Sequence, residues 1–314
     1  MMKPLISVLV ITYNHEKFIY ENLTSIYNQT YHNIELIISD DCSIDKTLLI
    51  VKQWISEHQS RFTRIKLLTT DKNTGTTKNI NRGLSETKGE YIKIIAGDDV
   101  LLNDALKKCL HYLQNNNEKI IVTSVQEIYD NPHGKTLGKI HPSENLIFFY
   151  EYQPADQFRY LLHNNPIPAP SAFYHNSLLD LLGKFDEDFV LLEDYPMWLR
   201  ITLKNIHIGF LPEVTVLYRV HSDSIMNQHK IIPNPLIFFD KIKASKKYIF
   251  PNKKLFDLNT LIYLRLLNFY YYLMAFLGQR RFNPNNFLIV RLFLRSIAII
   301  FSKKMNKKND SDTY

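Results

Sequence analysis

Over its first 125 residues the chain alternates short apolar runs with amphipathic stretches, and this alternation is what most narrows the fold. Leu5 to Ile11 is apolar except for Ser7, short enough for a strand buried on both faces, and Phe18, Ile19, Leu23, Ile26 and Tyr27 then recur at helical spacing. The unit repeats. Ile34 to Ser39 reads as a second strand, followed by a helix over Lys46 to Trp54 that Ser43 is placed to cap. Ile65 to Thr69 is a third strand and Thr76 to Glu86 a helix closed at Lys88-Gly89. Tyr91 to Ile95 is a fourth strand, Asn103 to Leu113 a helix and Ile120 to Val125 a fifth strand. The pattern predicts an α/β fold with an open, mainly parallel, twisted sheet flanked by helices, which binds ligands beyond the carboxyl ends of its strands.

Residues 126 to 170 are punctuated by Pro132, Gly134, Pro142, Pro154, Pro166, Pro168 and Pro170 and are expected to be irregular. Patterning returns at Ser171: Asn176 to Leu182 and Tyr195 to Lys204 read as helices, Ile208 to Phe210 and Thr215 to Tyr218 as strands. Past Pro235 the composition changes, which sets expected domains at 1–235 and 236–314, the latter a basic, apolar helical appendage. Leu258 to Leu277 is apolar but broken by Asn259, Arg265 and Asn268, and Phe287 to Phe301 is short and carries Arg291 and Arg295. Neither reads as a membrane span, which needs about 20 nearly uncharged residues. Amphipathic helices lying in a headgroup layer fit better, with Lys303, Lys304, Lys307 and Lys308 following. Packing of their apolar faces on the catalytic body, or on a second subunit of a homo-oligomer, is the alternative.

Charge follows the same division. Residues 240–314 hold 15 Lys or Arg against 4 Asp or Glu, a net +11, so the +7 of the whole chain leaves −4 for the rest. A slightly acidic body is unsuited to tracking a phosphate backbone, so no nucleic-acid partner is expected, and the tail reads as a surface for anionic lipid. Two cysteines, Cys42 and Cys109, without paired spacing predict neither a disulfide framework nor a zinc site. With no leader pattern at the N-terminus, the expected setting is cytoplasmic, at the inner face of the cell membrane.

The chemical signal lies in where the acids fall. Asp40 and Asp41 follow the second strand, Asp98 and Asp99 the fourth. Adjacent carboxylates raise each other's pKa unless a cation or donors stabilise them, so a hard divalent ion, Mg²⁺ or Mn²⁺, is their natural partner. Helix capping would explain either pair taken singly. Farther on, Glu193 and Asp194 precede a helix with Pro196 in its first turn, leaving Asp194 at the helix mouth, either as a general base or as a cap paired with Arg200. His221, one of 11 histidines, follows a strand on a loop.

Taken in order, these residues resemble the family 2 glycosyltransferases of GT-A fold. The matches are Ile6-Ser7-Val8-Leu9-Val10-Ile11-Thr12-Tyr13-Asn14, Ile38-Ser39-Asp40-Asp41-Cys42-Ser43-Ile44-Asp45, Asn73-Thr74-Gly75 with Lys78-Asn79, and Lys88-Gly89-Glu90-Tyr91-Ile92 running to Gly97-Asp98-Asp99. Gly183-Lys184-Phe185-Asp186-Glu187, Glu193-Asp194, Trp198-Leu199-Arg200 and Tyr218-Arg219-Val220-His221 complete them. Many members carry Asp-x-Asp-Asp where this chain has Ala96-Gly97-Asp98-Asp99.

The resemblance implies a glycosyltransferase that moves a sugar from a nucleotide-diphosphate donor to an acceptor hydroxyl, with inversion. It implies a nucleotide-binding half over about 1–125 and an acceptor-binding half over about 126–235. Thr12, Tyr13, Asn14 and Asp41 would hold the nucleobase and ribose, Lys78 and Asn79 would sit near the nucleotide, and Asp98 would contact the ribose or sugar. Asp99 would ligate the metal, His221 would contact metal or diphosphate, and Asp194 would be the base. Acceptor contacts are expected from the 164–171 stretch, Ser171 included, and from Glu193. The acceptor would be a glycan, a lipid-linked sugar or a protein, in the assembly of cell-surface polysaccharide or lipopolysaccharide. A nucleotidyltransferase is disfavoured because Asn14-His15-Glu16-Lys17 after the first strand lacks the glycines of a phosphate loop. A transferase-like protein that binds nucleotide sugar without turnover is the other competing reading.

Overall fold

The computed structural model describes residues 3–132, 134–221 and 234–279. Met1–Asp188 with Glu193–His221 form one compact unit, and Phe189–Leu192 belongs with the chain after His221 in a second.

In the first unit the elements run β1 (Ile6–Thr12), α1 (Ile19–Tyr27), β2 (Ile34–Asp40), α2 (Thr47–His58), β3 (Arg64–Leu68), α3 (Thr76–Leu84), β4 (Tyr91–Ala96), β5 (Val100–Leu101) and α4 (Ala105–Asn115). They continue with β6 (Ile120–Asn131), β7 (Gly134–His141), α5 (Pro154–Leu161), β8 (Phe173–His175), α6 (Asn176–Leu182), α7 (Asp194–Leu203) and β9 (Gly209–Arg219). One sheet holds every strand, in the order β3-β2-β1-β4-β8-β6-β9-β5, with β7 paired to β6. Strands β1 to β4 are parallel, as the alternation predicts. Beyond them the sheet is mixed: β8 enters antiparallel between β4 and β6, and β5 pairs antiparallel with β9.

The central strands are apolar on both faces because both are covered. Every residue of β2 is buried, as is all of β1 except Ile11. Val8, Val10, Leu36 and Ile38 pack on Ile19, Leu23 and Ile26 of α1 and on Val51 and Trp54 of α2 within one core. Each fully buried aliphatic side chain of this kind contributes about 1.5–3 kcal/mol.

Three expectations change. Ser43 does not cap α2; its hydroxyl donates to Asp40 at 2.5 Å and accepts the Asn14 amide at 2.8 Å, and Asp45 accepts the Thr47 amide instead. The 126–170 stretch is more regular than its prolines imply, because Pro132 and Gly134 make the turn of the β6–β7 hairpin and Pro154 opens α5, where a missing amide costs nothing. The two short strands expected around Pro212 are one, β9, which passes the proline by register shifts against β6.

The second unit contains α8 (Pro235–Ala244) and α9 (Leu258–Gln279) among its described residues. Phe238 and Ile242 of α8 pack on Tyr271, Met274 and Ala275 of α9. Asp240 holds the 189–192 segment by accepting the amides of Val190, Leu191 and Leu192 at 2.8–3.2 Å. No helix among the described residues is long and apolar enough to cross a membrane. The helix expected at Phe287 to Phe301, the lysine cluster at 303–308 and the remainder of the 280–308 segment lie outside the described residues.

Candidate active site

The carboxyl ends of β1, β2 and β4 meet at one edge of the sheet, since Thr12 pairs with Asp40 and Ile11 with Ala96. Each strand turns off the sheet there, and the turns interlock. Asn14 adopts φ 56, a left-handed conformation that Asn tolerates, and its side chain accepts the Ile44 amide. Tyr13 beside it is exposed, and Asp40 is buried and accepts the amide of the half-buried Ser43 at 2.8 Å.

Asp41 is buried and accepts four hydrogen bonds: from Thr74 Oγ1 at 2.6 Å and Arg82 Nη2 at 3.0 Å on one oxygen, and from the amides of Thr74 and Gly75 at 2.8 and 2.7 Å on the other. A buried carboxylate requires such compensation. Asp41 therefore shapes the crevice by fixing the 73–75 turn ahead of α3. Gly75 there has φ 88 and ψ 161, backbone angles that side chains resist. Arg82 braces the same turn through Asn79 Oδ1, Ser39 Oγ and the Asp40 carbonyl, and Asn79 reaches the Thr12 carbonyl at 3.4 Å. Lys78 is exposed in the first turn of α3, at the positive end of the helix dipole.

Asp98 and Asp99 sit on the turn between β4 and β5. Asp98 lies 3.0 Å from His221 Nε2 and 3.8 Å from His15 Nε2. Burial disfavours its charge, but the His221 hydrogen bond and the His15 neighbour outweigh it and hold the carboxyl below its ordinary range. Asp99 moves the other way: burial, reinforced by the Asp98 charge, pushes it well above that range, although Oδ1 accepts the Arg219 amide at 2.9 Å. Burial also lowers the His15 imidazole against the pull of Asp98, which leaves it neutral near pH 7.

Arg219, at the end of β9, is the organising cation. Its side chain is fully buried, and it donates to the Asp98 carbonyl at 2.7 Å, pairs with Glu21 at 2.8 Å and with Asp130, and lies 4.8 Å over the Phe18 ring. The turn approaches β1 closely enough that a Cβ on Gly97 would fall 2.9 Å from His15 Nδ1 and 3.0 Å from Thr12 Oγ1, two buried polar atoms with no hydrogen-bond partner among the described residues.

Asp194 begins α7, as predicted. One oxygen accepts the Tyr195 amide at 2.7 Å; the other accepts Trp198 Nε1 at 3.2 Å and Asn165 Nδ2 at 3.4 Å. Its carboxyl is raised by burial, partly offset by these donors. Arg200 instead donates to the carbonyls of Leu182 and Lys184. Phe173 opposes Lys93 of β4, so the residues just before Phe173 run toward the carboxyl end of that strand. Lys93 is itself buried and donates to the carbonyls of Pro170 and Ala172, fixing this loop; burial lowers it to about 8. Ser171 is buried, its hydroxyl donating to the Pro168 carbonyl within the loop. Glu193 is half-buried at the N-terminal boundary of α7.

No group of three or more His, Cys, Asp or Glu side chains gathers as a metal cage among the described residues. Asp99 Oδ2 accepts no hydrogen bond among them, and carboxylate oxygens suit Mg²⁺ or Mn²⁺. So small a donor set fits an ion that completes its coordination with phosphate oxygens. Arg82, His15 and Lys93 went unnoticed in the sequence; the only signal was a charged residue inside an otherwise apolar strand, at Lys93.

An open α/β sheet with paired acids at the carboxyl edge of its parallel strands accords with a nucleotide-sugar transferase, and comparison with known proteins agrees. The family model described as Glycosyl transferase family 2 matches residues 7–180, and the chain belongs to that family. An uncharacterized glycosyltransferase of Haemophilus influenzae is 28% identical over 272 residues, covering 85% of this chain and 81% of the relative. The Escherichia coli enzyme UDP-Glc:alpha-D-GlcNAc-diphosphoundecaprenol beta-1,3-glucosyltransferase WfgD is 28% identical over 225 residues, covering 70% and 79%. The fold matches the mannosyltransferase PcManGT of Pyrobaculum calidifontis, solved with GDP-Man and Mn²⁺, with TM-score 0.59, 19% identity and coverage of 100% and 89%. It also matches S. aureus TarS 1-349, solved with UDP, with TM-score 0.57, 18% identity and coverage of 93% and 91%. The chain is a glycosyltransferase with a GT-A-type fold.

Proposed function

We propose that the enzyme transfers a sugar with inversion from a nucleotide-diphosphate donor to a hydroxyl of a lipid-linked acceptor in cell-surface glycan assembly. The observation that carries the reading is Asp194: a carboxylate at a helix start, fixed by three donors, whose raised pKa makes it a better proton acceptor near neutrality. Asp194 takes the proton of the acceptor hydroxyl as its oxygen attacks the anomeric carbon from the face opposite the diphosphate. The bond from that carbon to the diphosphate oxygen breaks, and its electron pair leaves with the nucleoside diphosphate.

Thr12, Tyr13, Asn14, Lys78 and Asn79 line the nucleotide side, where Asp41 holds the 73–75 turn in place. Asp98 faces the ribose or sugar, and Asp99 with His221 would hold Mg²⁺ or Mn²⁺. When bound, such an ion stabilises the charge developing on the departing diphosphate. Glu193 and the 164–171 loop with Ser171 border the acceptor. A lipid-linked acceptor is favoured because WfgD, a relative of similar length, is named for one. Release of nucleoside diphosphate from UDP-Glc, UDP-GlcNAc and GDP-Man, with and without Mn²⁺ and with a diphosphoundecaprenol-linked sugar present, tests the reading. Acceptor-dependent release from one donor is expected; tight nucleotide binding without release from any would favour the binding-only alternative.

A further inference from the structure

Helix α9 is apolar on two opposite faces. One buries Tyr263, Leu264, Tyr271, Met274 and Ala275, the last three against α8. The other exposes Leu258, Ile262, Leu266, Phe269, Tyr272 and Phe276, with Phe269 63% and Leu258 73% exposed. A helix packed on one side only would carry polar groups on the other. Instead, the only charged side chain between Leu258 and Gln279 is Arg265, and it lies within the exposed stripe.

The surroundings of the stripe are cationic. Lys246 Nζ lies 5.5 Å from the centroid of the Tyr272 ring, at the edge of the stripe. Lys253 and Lys254 are exposed beside Leu255, just ahead of Leu258. Over 234–279 the basic residues number seven and the acids two, and one acid, Asp240, is buried on the 189–192 amides. The other, Asp257, accepts the Thr260 amide at the start of α9. A second copy seated on this face would bring Arg265 and the lysines of both chains together, and like charges oppose that pairing. An anionic bilayer reverses the sign of the interaction, and a helix of about 33 Å that is too polar to span lies naturally in the interfacial plane.

We propose that the outward face of α9 docks on an anionic phospholipid bilayer, with Leu258, Ile262, Leu266, Phe269, Tyr272 and Phe276 entering the headgroup boundary and Lys246, Lys253, Lys254 and Arg265 meeting lipid phosphates. The choice of a bilayer as occupant rests on the reading of a lipid-linked acceptor given above. Each basic residue near an anionic surface adds roughly fivefold to partitioning, and salt screens that share.

Co-sedimentation of the full chain with vesicles of phosphatidylcholine alone, and of equal parts phosphatidylcholine and phosphatidylglycerol, tests the proposal. The wild type is expected to bind the mixed vesicles, and less so at high salt. The double variant Ile262→Glu, Phe269→Glu is expected to lose at least about tenfold in partitioning, and Lys253→Gln, Lys254→Gln, at exposed positions that leave the packing of α9 untouched, to lose binding to the anionic vesicles selectively. Unchanged binding in both variants would overturn the proposal, as would a wild-type dimer in vesicle-free sedimentation that the Glu variant dissolves. Nucleoside-diphosphate binding, measured on the same samples, reports on the transferase mechanism independently. Vesicle binding without nucleotide binding would leave this surface standing and count against that mechanism.

Discussion

The backbone amide of Arg219 donates to Oδ1 of Asp99 across 2.9 Å, joining residues 120 positions apart. Through this bond and the guanidinium bond to the Asp98 carbonyl, β9 sets the position of the acidic turn. Arg219→Met removes the charge facing Glu21 and Asp130 and the donor to Asp98. It is expected to destabilise the protein by about 3 kcal/mol, read in urea unfolding, and Arg219→Lys to recover stability more than turnover, because a lysine cannot reproduce the forked contacts.

Asp194→Asn is expected to lower acceptor-dependent turnover by about 10²- to 10⁴-fold, the usual contribution of a general base, while leaving nucleotide affinity near that of the wild type. Calorimetric titration with the nucleoside diphosphate alongside a turnover assay separates the two effects.

The pH–rate profile gives a signed test of the same group. As the proposed base Asp194 would act when deprotonated, and its pKa is raised, so activity should climb with pH through a midpoint above the ordinary aspartate value of about 4. Asn165→Ala removes a donor that favours the carboxylate and should move that acid limb to higher pH. A shift to lower pH would be incompatible with the assigned role.

Gly75→Ala places a side chain at φ 88, ψ 161, at a cost of about 1–3 kcal/mol. Because the Gly75 amide is bound to Asp41, relief of that strain moves the 73–75 turn, so nucleotide affinity should fall together with stability. Thermal shift with and without nucleotide checks both.

Lys93 makes stability depend on alkaline pH. Its pKa is about 8 when folded, against about 10.4 in an open chain, so between these values the unfolded state binds more protons and stability rises with pH. The melting temperature of the wild type relative to Lys93→Met should therefore increase from pH 8 toward pH 10.5; a flat difference would show that Lys93 titrates normally.

Legibility from sequence followed apolar periodicity. Elements β1 to β4 and α1 to α4 could be read because each is a long apolar or amphipathic run closed by a clear breaker, and Asp98, Asp99 and Asp194 stood out because strand and helix ends expose their neighbours. The β6–β7 hairpin was missed because β7 is largely exposed and its residues show no alternation. Arg219 was quoted only as part of Tyr218-Arg219-Val220-His221; its importance comes from Glu21, Asp98, Asp99 and Asp130, which approach it only in three dimensions. Asp41 carries the same lesson, since no local pattern shows that all its acceptor capacity goes to Thr74, Gly75 and Arg82.

Among the described residues β9 is the last strand to leave the ribosome, yet it lies between β6 and β5. At about 5–20 residues per second, the 120 residues from Asp99 to Arg219 take about 6–24 s to synthesise. Once β6 is made and until β9 follows, the β6 edge that β9 will cover is bare, and such edges invite mispairing with other chains. A polypeptide released before Arg219 would have the parallel strands β1 to β4 and the turns at their carboxyl ends but no anchor for the acidic turn.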